Sequence, residues 1–187
     1  MGKGDSPKKN RKLSMIIEAA QELFLNHGVK RVTVEEICRK AKVSKMTFYK
    51  HFKNKEELFF HIWEGWVDEG FQLMDEIDAL DISLPEKIQM MFEWKTRFLS
   101  KTSSALIEDI IKFDLKYDKP IARFMEFIVN AQKRGEIRPD IKPVFLMTVL
   151  DWLYGLVNDE NLISSYPSVI EFNREIKDFF WYGVMAR

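Results

Sequence analysis

The stretch from residue 33 to residue 52 constrains the fold most, because it describes two short helices separated by almost no connecting chain. Thr33 is followed three residues later by Glu36, so the Thr33 hydroxyl and the Glu36 carboxylate can each satisfy a free backbone N–H at a helix start. A second helix start follows at Ser44, whose hydroxyl can cap a helix running to about Phe52. Two helices joined by so tight a turn predict a helix-turn-helix.

The rest of the chain also has the apolar spacing of helices. Apolar residues recur three and four positions apart, as at Leu13, Ile16, Ala20 and Phe24, and sustained two-residue alternation is absent. Clusters of proline, glycine and serine separate the periodic stretches. We therefore predict an all-α fold class of about nine helices, near residues 11–26, 33–41, 44–52, 55–77, 85–100, 104–117, 119–134, 142–159 and 168–185.

Cysteine usage and the N-terminal residues predict the compartment. Cys38 is the one cysteine, which excludes an internal disulfide framework and fits a reducing compartment. The longest apolar candidate runs from Val144 to Val157 and is interrupted by Asp151, so no run approaches the roughly 18 residues that a bilayer span needs. The first residues lack the apolar core of a signal peptide. We expect a cytoplasmic protein without a membrane partner.

Patterns that would indicate an enzyme or a metalloprotein are absent from the sequence. His27, His51 and His61 have no ligand spacing with one another or with Cys38, so we expect no metal site. The sequence also has no nucleophile elbow, no phosphate loop and no HExxH arrangement. We therefore predict no catalytic residues and no cofactor.

The formal net charge of zero conceals an uneven distribution of charge along the chain. Residues 1–56 contain 14 Lys and Arg against 6 Asp and Glu, a net charge of +8. The remaining residues contain 15 Lys and Arg against 23 Asp and Glu, a net charge of −8. A basic head on an acidic body is typical of a polyanion-binding module joined to a module that does not bind polyanions.

The second helix of a helix-turn-helix lies in the DNA major groove, so its outer face must carry polar side chains. Phe48 and Phe52 can anchor this helix inward together with Val43. The outer side, near its N-terminal half, would then carry Lys45, Met46, Thr47 and Lys50. Lysine can donate to guanine O6 and N7, and threonine can use its hydroxyl or its methyl group. The segment therefore predicts readout of a DNA sequence.

Four motifs in this region resemble the TetR family of helix-turn-helix transcriptional regulators. They are Thr33-Val-Glu-Glu-Ile37, Ala41-Lys-Val-Ser44, Thr47-Phe-Tyr-Lys-His-Phe52 and Lys55-Glu-Glu-Leu58. The resemblance is specific because it fixes several residue types across three helices and two turns. Further on, Gly135-Glu-Ile-Arg-Pro-Asp140 looks like a phrase common before that family's last two helices.

Two residues depart from the family pattern. Lys42 stands where the family usually has glycine, so we expect a strained left-handed residue in the turn, at a cost of about 1 kcal/mol. Cys38 stands where alanine is usual, and an inert core thiol fits this small position better than a redox sensor does.

The resemblance implies roles for the DNA-binding residues and a division of the chain. Base-reading positions would be Lys45, Met46, Thr47 and Lys50, while phosphates would be held by Thr33, Ser44, Tyr49, His51 and Lys55. The chain would divide into a flexible basic arm, a helix-turn-helix DNA-binding domain and an effector-binding and dimerisation domain, at residues 1–10, 11–54 and 55–187.

The acidic body is rich in aromatic residues at helical spacing, which pack a core or line a cavity for a small apolar effector. Candidate pocket residues are Trp94, Phe98, Asp109, Phe113, Phe127, Asn130, Asp151 and Trp152. The last two helices carry more apolar surface than an outer helix pair needs, which favours a homodimer over a monomer. Candidate interface residues are Leu146, Leu150, Leu153, Phe172, Ile176, Phe179 and Phe180.

Three functional hypotheses remain open from the sequence. The leading one is a dimeric repressor of operator DNA that a small, mainly apolar effector releases by binding one conformer preferentially. An effector-independent DNA-binding regulator is the second, and a body with no cavity above about 300 Å³ would favour it. An enzyme housed in the helical body is the third, and turnover of a metabolite would revive it.

Overall fold

The structure, a computed structural model, describes residues 7–113, 118–156 and 159–185. Across these ranges the chain is helical and contains no strand, which confirms the predicted all-α class. The helices are α1 (Pro7–His27), α2 (Val34–Ala41), α3 (Lys45–Tyr49), α4 (Lys55–Asp78), α5 (Leu84–Ser100), α6 (Ser104–Lys112), α7 (Asp118–Lys133), α8 (Pro143–Gly155), α9 (Glu160–Ser164) and α10 (Val169–Val184). Among the described residues, no helix is long and apolar enough to cross a membrane.

The described ranges thus hold ten helices where the sequence predicted about nine, because a short helix lies in a segment predicted as a connection. The short helix, α9, spans five residues, which is too few to have a detectable apolar period. The Asp159 carboxylate caps it by accepting the backbone N–H groups of Asn161 and Leu162, at 3.0 and 3.1 Å. A capping side chain thus defines this helix.

Several helix bounds differ from the prediction. Helix α1 begins at Pro7, so residues 7–10 of the predicted flexible arm are helical, since proline is favoured at the first helical position. Residues 1–6 of that arm lie outside the described part of the chain. Helix α3 ends at Tyr49 rather than near Phe52, and the backbone N–H groups of the next residues turn back to the Phe48 carbonyl.

The chain forms two compact units. Unit 1 contains residues 1–69 and 100–115, and unit 2 contains residues 70–99 and 116–187. Helix α4 begins in unit 1 and ends in unit 2, while α6 belongs to unit 1 although it follows α5 in the sequence. The domain boundary predicted after residue 54 lies within unit 1, at the start of α4.

The core of unit 1 is built from the apolar faces of α1, α2, α3, α4 and α6. Phe24 of α1 and Phe59 of α4 are fully buried and meet edge to face, with ring centroids 5.8 Å apart. Phe48 of α3 and Leu106 of α6 are also fully buried in this core. Burial of an aromatic or leucine side chain stabilises a fold by about 1.5–3 kcal/mol, so α6 contributes to the stability of the unit that contains α2 and α3.

The core of unit 2 contains most of the residues predicted for a dimer interface. The buried ones are Leu146, Leu150, Leu153, Phe172, Ile176 and Phe180, each at most 8% exposed. Their side chains pack inside the unit and leave no surface for a second copy. Phe179 is 71% exposed, and the neighbouring exposed apolar side chains are Val144, Phe145, Trp152 and Tyr182. Helices α8 and α10 therefore do carry exposed apolar side chains, but on faces other than those that hold the predicted interface residues.

Candidate nucleic-acid interface

The local sequence positions α2 and α3 through hydrogen bonds at their first residues. The Thr33 hydroxyl accepts the Glu36 backbone N–H at 3.2 Å, and the Glu36 carboxylate accepts the Thr33 backbone N–H at 2.8 Å, which confirms the predicted capping box. Ser44 caps α3 by accepting the Thr47 backbone N–H at 3.2 Å. Lys42 lies between them with a φ of 54°, the left-handed conformation predicted for it.

The recognition surface is the exposed side of α3. Phe48 and Phe52 anchor the helix inward with 0% and 7% exposure, as predicted. On the outer side Met46 is 68% exposed and Tyr49 is 56% exposed, and further residues at the surface are Ser44, Lys45 and Lys50, with Thr47 half-buried. The helix therefore presents donors and a flexible apolar side chain on a rigid support, as readout of base edges requires.

Two residues predicted to hold phosphates differ in how free they are. Thr33 is exposed at the start of α2, where free backbone N–H groups and the helix dipole attract anions, although its hydroxyl already donates to the Glu36 carboxylate at 2.8 Å. His51 is half-buried, and its ring lies 6.5 Å from the Phe52 ring and packs the turn that follows α3.

Lys55 is anchored to the backbone of the loop between α1 and α2. Its ammonium donates to the carbonyl oxygens of Lys30 and Val32, at 2.9 and 2.8 Å. Because an ammonium has three N–H donors, one remains for a DNA phosphate. Lys55 therefore holds the loop that leads to Thr33 and keeps one donor that is not used within the loop.

Glu35 pairs with Lys45, a predicted base-reading residue, across the tight turn. The Lys45 ammonium holds the pKa of the exposed Glu35 carboxyl below its ordinary value, and the carboxylate in turn raises the pKa of Lys45. Sequence reasoning missed Glu35, because ten positions separate the two residues and no helical spacing links them. In the absence of DNA, the pair directs the Lys45 ammonium toward α2.

Two of the residues predicted to line the effector pocket lie in unit 1. Asp109 is 4% exposed, and its carboxylate accepts the Lys30 backbone N–H at 3.0 Å and lies 3.6 Å from the Lys30 ammonium. Phe113 packs against the rings of Phe59 and Phe60, with centroids 5.5 and 5.7 Å apart. Both side chains therefore hold α6 within unit 1.

The other predicted pocket residues lie in unit 2. Trp94 and Phe98 stack, with centroids 6.1 Å apart and ring planes 17° apart. Phe127 is 3% exposed and meets Trp181 edge to face, and Asn130 is half-buried on the same helix. The remaining two, Asp151 and Trp152, are exposed on α8. The structure thus brings one aromatic pair together and disperses the rest.

Within the described ranges, no group of three or more His, Cys, Asp or Glu side chains could hold a metal ion. Cys38 is buried, and desolvation raises the pKa of its thiol. The chemistry that the surface of unit 1 offers is hydrogen bonding to base edges and phosphates. A capped, tightly connected helix pair with an exposed polar second helix defines a DNA-binding protein of the helix-turn-helix class.

The particular family follows from comparison with known proteins. Residues 16–62, which include α2 and α3, match the family model of bacterial regulatory proteins, tetR family, so this segment of the chain is similar to TetR-family regulators. The chain is 42% identical over 71 residues to the HTH-type transcriptional regulator YhgD of Bacillus subtilis, and the match covers 38% of this chain and 36% of that protein. It is 25% identical over 160 residues to the regulator UidR of Escherichia coli, covering 77% of this chain and 79% of the relative.

Solved structures have the same fold. SmeT, the repressor of the Stenotrophomonas maltophilia multidrug efflux pump SmeDEF, has a TM-score of 0.66 at 18% identity and covers 92% of this chain and 89% of its own. A transcriptional regulator from Saccharomonospora viridis in complex with choline has a TM-score of 0.67 at 19% identity and covers 96% of this chain and 100% of its own. At these identities the likeness establishes the fold alone.

Proposed function

We propose that this protein is a sequence-specific, homodimeric repressor that binds operator DNA in the bacterial cytoplasm and leaves it when a small, mainly apolar effector binds. The observation that carries the proposal is the exposed side of α3, where Lys45, Met46 and Tyr49 stand outside a rigid core beside the caps at Thr33 and Ser44. The second helix of a helix-turn-helix enters the major groove through an exposed surface of this kind.

The proposal divides the surface between specificity and affinity. Lys45, Met46, Thr47 and Lys50 read base edges, which decides the sequence that is bound. Contacts to phosphates add affinity for any sequence, and the residues that make them are Thr33, Ser44, Tyr49, His51 and Lys55. The Glu35 carboxylate keeps Lys45 extended in one direction until a base edge competes for its ammonium.

The dimer interface that we propose lies on the exposed faces of α8 and α10. Phe145 is 59% exposed and Trp152 is 67% exposed on α8, and Phe179 and Tyr182 are 71% and 74% exposed on α10. Large apolar side chains clustered on two helices are a feature of protein interfaces rather than of a solvated surface. A twofold dimer would carry two copies of α3, as binding to the two half-sites of a palindromic operator requires.

The effector is proposed to bind among the aromatic side chains of unit 2, with Trp94 and Phe98 as its platform. A stacked indole and phenyl pair favours an apolar, aromatic or quaternary ammonium group. A neighbour of the same fold was solved with choline, and another is described as the repressor of an efflux pump. Those ligands and targets belong to those proteins and supply precedent only.

The test is selection of bound duplexes from a random pool, followed by binding titrations with variants. Lys45→Ala is expected to relax sequence preference, whereas Lys55→Ala is expected to weaken binding to all sequences and lower the salt slope by about 1. A screen of metabolites for release of the selected site then identifies the effector. Failure to enrich any sequence, or unchanged affinity and preference in Lys45→Ala, would overturn the assignment of α3.

A further inference from the structure

A charged cleft lies in unit 1 between α1 and α2, with a volume of about 480 Å³. Its charged lining consists of His27, Arg31, Arg39, Lys40 and Glu36, above an apolar floor. None of the four basic side chains belongs to the DNA-binding set described above, and all four are exposed. The cleft therefore combines a concave shape with a concentration of positive charge that the proposed function has not used.

The cleft lies on the side of α2 that faces away from α3. Lys40 pairs with Glu22 of α1 at 2.7 Å, so this side of α2 faces α1. Glu35, on another side of α2, pairs with Lys45 of α3. Thr33, the capping residue of α2, lies at the end of the helix where these two sides meet. A polyanion that contacts Thr33 could thus extend toward α3 in one direction and into the cleft in the other.

The positive charge of the cleft is not balanced from within. Glu36 supplies the acidic lining, and its one negative charge faces the positive charges of Arg31, Arg39 and Lys40. Lys40 is occupied by Glu22. Arg31 and Arg39 form no hydrogen bond or ion pair with any residue in the described ranges. Two guanidinium groups are thus available to an anion.

We propose that Arg31 and Arg39 form a phosphate-binding site in this cleft. A guanidinium presents a planar fork of donors that matches two phosphate oxygens, and two such forks at one cleft favour a phosphodiester or phosphate group over a carboxylate. The expected source is the DNA backbone beyond Thr33, which would lengthen the footprint outward from the recognition helix; this source rests on the proposed function. A free phosphorylated small molecule has the same chemistry and is the other source.

The experiment uses the full chain and three single variants, Arg31→Gln, Arg39→Gln and Arg138→Gln. Glutamine keeps most of the side-chain stem and removes the charge, and Arg138 is a matched control in unit 2, where it pairs with Asp140 at 2.6 Å. Each protein is titrated with a selected duplex and with a duplex of unrelated sequence at several salt concentrations. Each is also titrated with inorganic pyrophosphate in a calorimeter, and its thermal melt is recorded.

For the DNA source, Arg31→Gln and Arg39→Gln are each expected to weaken binding to both duplexes by about tenfold. Each should also lower the salt slope by about 0.9, the value for one lost phosphate contact. The ratio of the two affinities should not change, and Arg138→Gln should behave as wild type. Unchanged duplex binding together with pyrophosphate binding that both variants lose would assign the site to a free phosphorylated ligand.

The phosphate site is overturned if both variants melt like wild type and neither duplex affinity nor pyrophosphate binding changes. It is overturned equally if Arg138→Gln produces the same loss, since the effect would then come from net charge alone. A wild-type protein that binds no duplex refutes the proposed function but not this site, because the pyrophosphate titration still tests Arg31 and Arg39.

Discussion

Gly28 and Gly135 have almost the same backbone conformation in different surroundings, and this makes them a controlled pair. Their φ angles are 76° and 77°, in the left-handed region where a Cβ is unfavourable. A Cβ at Gly28 would lie 2.9 Å from Oδ2 of Asp109 and 3.0 Å from the backbone carbonyl carbon and oxygen of Ala105. A Cβ at Gly135 would meet no atom within 4 Å.

Gly135→Ala should therefore cost only the left-handed backbone term, about 1 kcal/mol of unfolding free energy. Gly28→Ala carries the same term and adds a clash of about 1–3 kcal/mol, the usual range for overpacking. The Ala105 atoms are backbone atoms of α6, so no change of rotamer can move them. Helix α6 must shift against α1, and we expect a total loss of about 2–4 kcal/mol.

Urea unfolding followed by far-ultraviolet circular dichroism measures the difference between the two variants. A loss of 1 kcal/mol lowers the melting temperature of a protein of 187 residues by about 2–4 °C, so thermal melts should also separate the two variants. The double variant Gly28→Ala, Asp109→Ala should remain less stable than Asp109→Ala, because the contact with Ala105 persists. Equal losses at Gly28 and Gly135 would refute the packing of α6 against this turn.

Three further perturbations test other contacts. Asp109→Ala removes the acceptor of the Lys30 backbone N–H, which is then left without a partner. This should lower the free energy of unfolding by about 1–3 kcal/mol. Asp109→Asn keeps an acceptor and should lower it less in the same urea titration. Glu35→Gln releases the lysine that it pairs with, so affinity for unrelated duplexes should rise and the ratio of specific to unrelated affinity should fall. Gly70→Ala places a Cβ 2.8 Å from the Trp94 ring and should alter tryptophan fluorescence. The Cβ of Gly65→Ala meets no atom within 4 Å, so this variant should instead stabilise α4 by about 0.5–1 kcal/mol. Identical tryptophan fluorescence in Gly70→Ala and Gly65→Ala would contradict the contact with Trp94.

Features set by neighbouring residues were predictable from the sequence. The capping box at Thr33, the cap at Ser44 and the left-handed Lys42 each depend on a few adjacent positions, and all three are present in the structure. The pair formed by Glu35 and Lys45 depends on the angle between two helices, which no sequence period reports.

Helix α8 shows why the candidate interface residues were assigned to the inner face. Apolar residues surround this helix, so its periodicity does not distinguish the face that packs inward from the face that is exposed. Leu146 and Leu150 are 2% and 8% exposed, whereas Phe145 and Trp152 are 59% and 67% exposed. Only the three-dimensional packing of unit 2 separates these two sets.

The path of the chain constrains how effector binding in unit 2 could act on unit 1. Among the described residues, the chain passes between the units at residues 69–70, inside α4, and at residues 99–100, at the end of α5. A third passage, at residues 115–116, lies outside the described ranges. A helix transmits displacement along its axis better than a loop does, because its backbone dihedrals are fixed by hydrogen bonds. To move the population from 99% bound conformer to 1%, an effector must prefer the other conformer by about 5.5 kcal/mol. Burial of two or three apolar side chains on a ligand in one conformer and not in the other corresponds to a difference of about that size.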